Sequence, residues 1–418
     1  MAAIQALRCV HAGCSYPPNE LDYTCPRHGE LGTLDILYHY AALRARLDRD
    51  AISADKIANH WRYLPLLPLE ADCQLPPLSV GGTPLYAVPR LAEHLGLRRV
   101  WVKDEGLNPT GSLKDRASSL VVARALQEGL GVVATASTGN AAAALAGLGA
   151  ALEQIDIVIF VPASAPPAKI VQPLAYGAQV FLVDGSYDDA YELCTSACAE
   201  FGWYSRNTGV NPFTTEGKKT AALEIAEQLG WRAPDVVAVS VGDGSIISGL
   251  YKGFWDLLQL GWIDKLPRLL GVQAAGSAAL ADAWRAGMTA ADIKRRAVNT
   301  IADSIAAELP RDRSKALRAV RETQGAYVTV SDAQIVEAIP LLGRLCGVFA
   351  EPAAAAALAG VECALNEGLL DRDAEICLVS TGNGLKDIAS ARASVAPPAP
   401  IPADLAVLRA RLEGSDML

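Results

Sequence analysis

The chain has no histidine beyond residue 94; all five (His11, His28, His39, His60 and His94) fall in the first quarter of its 418 residues. Residues 95–418 therefore offer no histidine triad and no histidine metal site, so proton chemistry in the body of the protein has to be carried by another group. No apolar run approaches the roughly 18 residues of a membrane-crossing helix, and the opening MAAIQALRCVHAGC lacks a basic stretch followed by an apolar one. A soluble, cytoplasmic chain without a membrane partner is expected. Positive charge is in deficit, with 37 Lys and Arg against 46 Asp and Glu, a net charge of −9. That balance argues against nucleic-acid partners and leaves any anionic substrate to be captured by local groups. The nine cysteines are odd in number; Cys73, Cys194, Cys198, Cys346, Cys363 and Cys377 show no framework spacing, which points to reduced thiols rather than disulfides.

What is present is an alternation. From about residue 98, short β-rich runs (RVWVK at 99–103, GVVATAS at 131–137, IDIVIFV at 155–161, AQVFLV at 178–183, DVVAVSV at 235–241, RLLGVQ at 268–273, EICLVS at 375–380) are separated by longer helical stretches. Continuous apolar strands alternating with helices indicate an α/β fold with parallel sheets covered on both faces. The Ala-rich pieces at 140–152 and 351–365 read as buried helices, and the tail after 391 as a Pro-rich linker with one peripheral helix. Before this body, residues 1–40 form a small module with Cys9, Cys14, Cys25 and His28. Residues 41–80 begin with a helix and pass into a Pro-rich connector, RYLPLLPLEADCQLPPLSVGGTPL, that reads as extended chain.

In open α/β sheets ligands bind at the carboxyl ends of strands, and four strand exits carry suitable residues: NPTGSLKDR (108–116), STGN (137–140), VGDGSIISG (241–249) and STGNGLKD (380–387). In the third, Gly242 and Gly244 bracket Asp243 and Ser245 opens a helix, so successive N–H groups and a hydroxyl suit a phosphate. It is neither a Walker loop nor G-x-G-x-x-G, which disfavours a nucleotide and leaves a smaller phosphate ester. In the first, Lys114 stands at a helix mouth, where the dipole disfavours the ammonium form and favours the neutral amine of a Schiff-base lysine. Asp115 and Arg116 beside it read as surface charges of a first turn. A lysine, a phosphate nest and no histidine together point to pyridoxal phosphate, whose ring carries the electron-sink chemistry.

The set GGTPL (81–85), VKDEGLNPTGSLKDR (102–116), ASTGNAAA (136–143), NPFTTEGKKT (211–220), VGDGSIISG (241–249), GVQ (271–273), EPAAAA (351–356) and TGNGLKD (381–387), in this order, resembles the threonine synthases, fold-type II pyridoxal-phosphate enzymes. The resemblance covers residues 80 to 390. It implies a tryptophan synthase β-like architecture: a large cofactor-binding domain from 41–106 and 211–392, a smaller one at 107–210 that closes over the substrate, a zinc-ribbon-like module at 1–40, a linker and helix at 393–418, and a homodimer.

It also implies roles. Lys114 bonds the cofactor and shuttles protons, Asn140 meets the cofactor's 3′-oxygen, and Gly242, Asp243, Gly244, Ser245 and Ile246 form its phosphate cup, with Thr381 facing the pyridine nitrogen. Ser112, Ser137, Thr138, Gly139, Asn207 and Thr208 fall on the substrate side. The implied reaction takes O-phosphohomoserine and water to threonine and phosphate.

Two departures stand out. Threonine synthases commonly read Asn-Pro-aromatic-Arg where this chain has Asn211-Pro212-Phe213-Thr214; that arginine helps hold the substrate phosphate, and Lys103, Arg116, Lys218 or Arg206 are the candidates to replace it. This leaves open a β- or γ-replacement enzyme or dehydratase acting on another activated amino acid, and, in a different class, a non-catalytic scaffold. The second departure is the ribbon: relatives often carry two Cys-x2-Cys knuckles, whereas Cys9, Cys14, Cys25 and His28 make a Cys3His set for a structural zinc, with His11 as a further candidate ligand.

Overall fold

A computed structural model describes residues 4–165 and 167–413 and contains all seven expected strands, at Arg99–Asp104, Val132–Ala136, Asp156–Pro162, Gln179–Val183, Val236–Ser240, Arg268–Ala274 and Glu375–Ser380. They divide between two sheets. The larger has the order Ala326–Val330, Arg268–Ala274, Val236–Ser240, Glu375–Ser380, Arg99–Asp104, Leu85–Ala87; it is parallel except for the last, an antiparallel edge strand with Tyr86 opposite Val102. The smaller, all parallel, has the order Gln179–Val183, Asp156–Pro162, Val132–Ala136, Tyr204–Ser205. Three of these strands escaped the sequence reading. Leu85–Ala87 and Tyr204–Ser205 are too short to show a pattern, and Ala326–Val330 is an edge strand in which the half-buried Thr329 interrupts the apolar run.

Between the sheets run three stacked helices, Lys114–Gln127, Phe213–Gln228 and Ser245–Leu260. The middle one is buried from Phe213 through Ala226 although it reads FTTEGKKTAALEIAEQ. Glycines make this close packing possible: a Cβ on Gly217 would lie 2.1 Å from the Arg116 carbonyl oxygen, and one on Gly253 2.5 Å from that of Lys219. Both Ala-rich pieces are buried helices, Asn140–Gly149 and Pro352–Asn366, while the tail helix Leu405–Leu412 has no buried residue. Residues 414–418 of the tail lie outside the described residues. No described helix is long and apolar enough to cross a membrane.

The N-terminal residues form an antiparallel sheet, Ile4–Cys9 between Ser15–Tyr16 and Leu34–Tyr38, that is fastened to the body. Asp35 pairs with Arg318 at 2.6 Å, Ser314 Oγ donates to the Leu31 carbonyl at 3.1 Å, and Tyr38 donates to Glu216. The connector departs from the extended chain expected. After helices Tyr40–Arg46 and Arg49–Ser53, its first part winds into a 3₁₀ turn, His60–Leu66, because Asn59 Oδ1 accepts from the Trp61 N–H at 3.0 Å and Trp61, Tyr63 and Leu66 find buried seats.

His60 is fully buried in this turn, between the hydroxyls of Ser119 (3.2 Å) and Thr220 (3.4 Å). Burial, with Arg116 nearby, pushes its pKa down to about 3, so the folded protein keeps it neutral where the unfolded chain protonates. Its contribution is complete above the unfolded value near 6.5 and is lost as pH falls towards 3, costing about 2 kcal/mol between pH 7 and pH 5. Urea unfolding of His60→Gln at the two pH values should show that part of the dependence removed.

Candidate active site

Lys114 is the first residue of its helix, and the turn before it is stitched to the exit loop of the central strand Glu375–Ser380. The Leu113 N–H donates to the Thr381 carbonyl at 2.9 Å, the Asn383 N–H to that of Gly111 at 2.9 Å, and the Glu351 N–H to that of Gly382 at 3.0 Å. Gly111 takes φ +86°, which a side chain would oppose. Asp115 ties the turn back on itself, accepting from the Thr110 N–H at 2.7 Å and hydroxyl at 2.5 Å; burial raises its pKa to about 6. The expectation that Asp115 and Arg116 are surface charges is overturned, since both are completely buried. Arg116 Nε and Nη2 pair with Glu105 and Glu224, each at 2.6 Å.

The Lys114 side chain enters a cavity of about 330 Å³ lying between the two sheets. Burial and the Arg206 charge hold its pKa below the usual lysine value, offset in part by Glu351 and Asp243. Strand exits supply two walls, as expected: Ser137, Thr138, Gly139 and Asn140 after Val132–Ala136, and Gly242 through Ile246 after Val236–Ser240. Asn140 Nδ2 donates to both oxygens of Glu351, at 2.9 and 3.1 Å. In the glycine loop Gly244 has φ +89°, and a Cβ on Gly242 would fall 2.8 Å from the Ile305 backbone, so neither position has room for a side chain. Asp243 Oδ1 accepts from the Arg311 N–H at 3.2 Å, and Lys218, fully buried behind the loop, donates to Ser245 Oγ at 2.5 Å.

A third wall, drawn from residues 298–311, gave no signal in the sequence because its one regular element is a single 3₁₀ turn, Asp303–Ile305, too short to show a pattern. It is tied to the smaller-sheet side by Lys169–Asp303 at 2.6 Å and by Arg311–Asp188 at 2.9 Å. Tyr187, Tyr191 and Arg206 line the cavity from that side. Asn207 and Thr208 are also at its edge; Asn207 Oδ1 is taken by the Ala136 N–H at 2.9 Å. Ser112 and Thr381 are buried beside Lys114 but do not reach the lining, whereas the buried hydroxyls of Ser240 and Ser380, at the ends of two central strands, have no hydrogen-bond partner among the described residues.

A lysine with a lowered pKa sharing a cavity with a glycine loop is what a pyridoxal-phosphate site requires, and comparison with known proteins agrees. Residues 77–382 match the family described as pyridoxal-phosphate dependent enzyme. The chain is 39% identical over 403 residues to a threonine synthase of Methanocaldococcus jannaschii, covering 96% of this chain and 98% of that one. It is 38% identical to a threonine synthase of Mycobacterium tuberculosis, covering 82% and 92%. The chain belongs to the threonine synthase family.

It is thus a pyridoxal-phosphate-dependent enzyme, a lyase of the threonine synthase kind. Its fold is shared with the processed form of threonine deaminase isoform 2 from Solanum lycopersicum (TM-score 0.64, 22% identity, 75% of this chain and 87% of that one). It is likewise shared with diaminopropionate ammonia lyase from Escherichia coli (TM-score 0.64, 19% identity, 82% and 91%).

Thr214 is buried with its hydroxyl donating to the Asn211 carbonyl at 2.8 Å, so it turns inward on its own helix start. Of the four candidates to replace an arginine there, two are committed elsewhere. Lys103 Nζ is surrounded by the Thr83 carbonyl (2.6 Å), Glu224 (2.7 Å) and Gln228 (2.9 Å), and Arg116 is locked in its carboxylate pairs.

In the N-terminal sheet, Cys9, Cys25 and His28 come together, their ligand atoms within 4.8 Å of one another, which suits three corners of a tetrahedral zinc. Cys14 is not brought to them. The four residues between Cys9 and Cys14 close as a hairpin in which the Cys9 N–H donates to the Cys14 carbonyl at 2.8 Å, leaving the Cys14 sulfur outside the trio. Close to the trio are Tyr16, whose hydroxyl is 3.0 Å from Cys25 Sγ, and His11, whose ring centroid lies 5.2 Å from that of His28.

Proposed function

We propose that this enzyme releases phosphate from O-phosphohomoserine and adds water to give threonine, with Lys114 as the proton-moving base. The observation that carries this reading is the near-complete alignment with a threonine synthase, 96% of one chain on 98% of the other, joined to a cavity lined by Lys114, Arg206 and Arg311, with a second lysine, Lys218, behind the glycine loop. Two phosphate groups in one site, the cofactor's and the substrate's, call for that many cations.

Bound pyridoxal phosphate supplies an electron sink that acidifies the protons near the substrate's amino group. The residues present suit it: Lys114 to bond it, the amides of Gly242 through Ile246 with Ser245 and Lys218 for its phosphate, and Asn140 beside its ring. The chain's own groups do the rest. Lys114, its pKa lowered by burial and by Arg206, takes and returns protons along the substrate's carbon chain as the Cγ–O bond to phosphate breaks and a water oxygen bonds to Cβ. Residues Ser137 to Asn140 offer hydroxyls and helix-start N–H groups to the substrate carboxylate. The ties Lys169–Asp303 and Arg311–Asp188 hold the walls together and limit water entry. In the N-terminal module, Cys9, Cys25 and His28 suit a structural zinc completed by a fourth donor.

Phosphate release from O-phospho-L-homoserine by the cofactor-saturated protein, with products identified by mass, tests the reading. Phosphate and threonine in equal amounts are expected. No turnover of this substrate, with turnover of phosphoserine, an acetylated amino acid, serine or threonine instead, would replace it with a replacement enzyme or dehydratase. A protein that takes up no cofactor would leave the scaffold reading.

A further inference from the structure

We propose that Arg206 is the residue that grips the phosphoryl group of the substrate. The cavity's other cations are occupied or reserved. Lys114 is the base, Arg311 pairs with Asp188 at 2.9 Å and Glu30 at 3.0 Å, and Lys218 donates to Ser245 in the glycine loop. Arg206 is different in kind. It is completely buried, it lines the cavity, and among the described residues it pairs with no carboxylate. Its guanidinium bonds two neutral hydroxyls, Nε to Ser118 at 3.1 Å and Nη1 to Thr208 at 3.1 Å, and the buried Nη2 has no hydrogen-bond partner among the described residues.

A buried, unpaired guanidinium is costly, so its retention in the cavity wall points to an anion that arrives and completes it. The free edge, Nη2 with the remaining N–H of Nη1, is a two-pronged donor, the geometry that binds phosphate oxygens in pairs. Its supports locate the anion. Ser118 is one turn along the helix from Lys114, so the guanidinium sits beneath the base, and the Arg206 N–H is anchored to the Ala134 carbonyl at 2.8 Å at the end of a strand. The glycine loop offers its amides, Ser245 and, behind it, Lys218 to the cofactor's phosphate; the Arg206 charge is felt at Lys218, so the two cations serve neighbouring anions in one cavity. Arg206 therefore serves the second anion, and a phosphorylated substrate is preferred to its unphosphorylated counterpart. This inference rests on the proposed function for the identity of the substrate, though not for the anion site itself.

The test uses cofactor-loaded protein and the variants R206Q and R206K, with inorganic phosphate as probe in calorimetry, the cofactor's visible absorbance, and steady-state kinetics with O-phospho-L-homoserine. R206Q should weaken phosphate binding and raise KM by about 100-fold, the size expected for losing a buried charge-assisted contact. Cofactor retention and the spectral response to unphosphorylated L-homoserine should stay as in the unmutated protein. R206K should recover about a tenth of the phosphate affinity, and R206L serves in place of R206Q should the glutamine variant not fold.

Unchanged phosphate affinity in the charge-removing variant would overturn the inference. So would loss of cofactor with phosphate affinity of the reloaded protein preserved, since the guanidinium would then serve the cofactor. Arg206-dependent phosphate binding in a protein that does not turn over O-phospho-L-homoserine would sink the proposed function and leave the anion site standing. Turnover unaffected by R206Q would do the reverse.

Discussion

Replacing Lys114 by alanine should lower phosphate release from O-phospho-L-homoserine by about 10⁴-fold or more, because one nitrogen both bonds the cofactor and moves the protons. The cofactor, no longer covalently attached, should separate from Lys114→Ala on gel filtration, while the unmutated protein retains its visible absorbance. The fold should be spared. Lys114 Nζ forms no hydrogen bond to another described residue and its pKa is already depressed by burial, so removing the charge relieves a desolvation cost. Cofactor-free variant and parent should therefore melt within a few degrees of each other. Residual activity above about 1% would mean that a different group moves the protons and that Lys114 serves only to hold the cofactor.

The second large effect is on stability. Arg116→Met should destabilise the protein by about 3–5 kcal/mol, because it leaves Glu105 and Glu224 buried without their shared cation. In the native protein, although burial alone would raise them, the Arg116 charge holds both carboxyl pKa values below the ordinary glutamate value. The pair therefore stabilises the fold above pH 4.5, and the benefit is lost as pH falls below it. Without Arg116 the sign reverses. Burial then dominates, the carboxyl groups take up protons more readily in the folded state, and the deficit against the parent shrinks as pH is lowered from 8 towards 5. Denaturant unfolding across that range measures both effects. A loss smaller than about 1 kcal/mol at pH 8 would mean that Lys103, 2.7 Å from Glu224, compensates alone. The triple variant with Glu105→Gln and Glu224→Gln should recover part of the loss, since an amide costs less to bury than an unpaired carboxylate.

These two expectations fall two residues apart in the first turn of one helix, and they separate what the sequence could tell from what it could not. The seven strands, the Ala-rich helices, the position of Lys114 at a helix start and the glycine loop were all legible, because each follows from near neighbours in the chain. An apolar run bounded by turn residues, or two glycines followed by a helix-opening serine, has a meaning that does not depend on distant residues. The connector misled for the complementary reason: its prolines signalled extended chain, but Asn59 and the burial of Trp61, Tyr63 and Leu66 wound its first part into a 3₁₀ turn.

What the tertiary structure decided was the state of the charges. Arg116 and Arg206 are both buried arginines, yet one is saturated by the carboxylates of Glu105 and Glu224 and the other keeps a buried Nη2 with no hydrogen-bond partner among the described residues. Helix Phe213–Gln228 carries charged and hydroxyl residues through much of its length and is almost wholly buried, its Glu216, Lys219 and Glu224 each meeting partners from other elements. Cys14 has the spacing of a ligand, but its sulfur lies outside the trio. Local pattern fixes backbone geometry because steric and hydrogen-bonding preferences act over a few residues. The charge, hydration and reactivity of a side chain depend on which groups the fold brings within about 4 Å, and those groups come from anywhere in the chain.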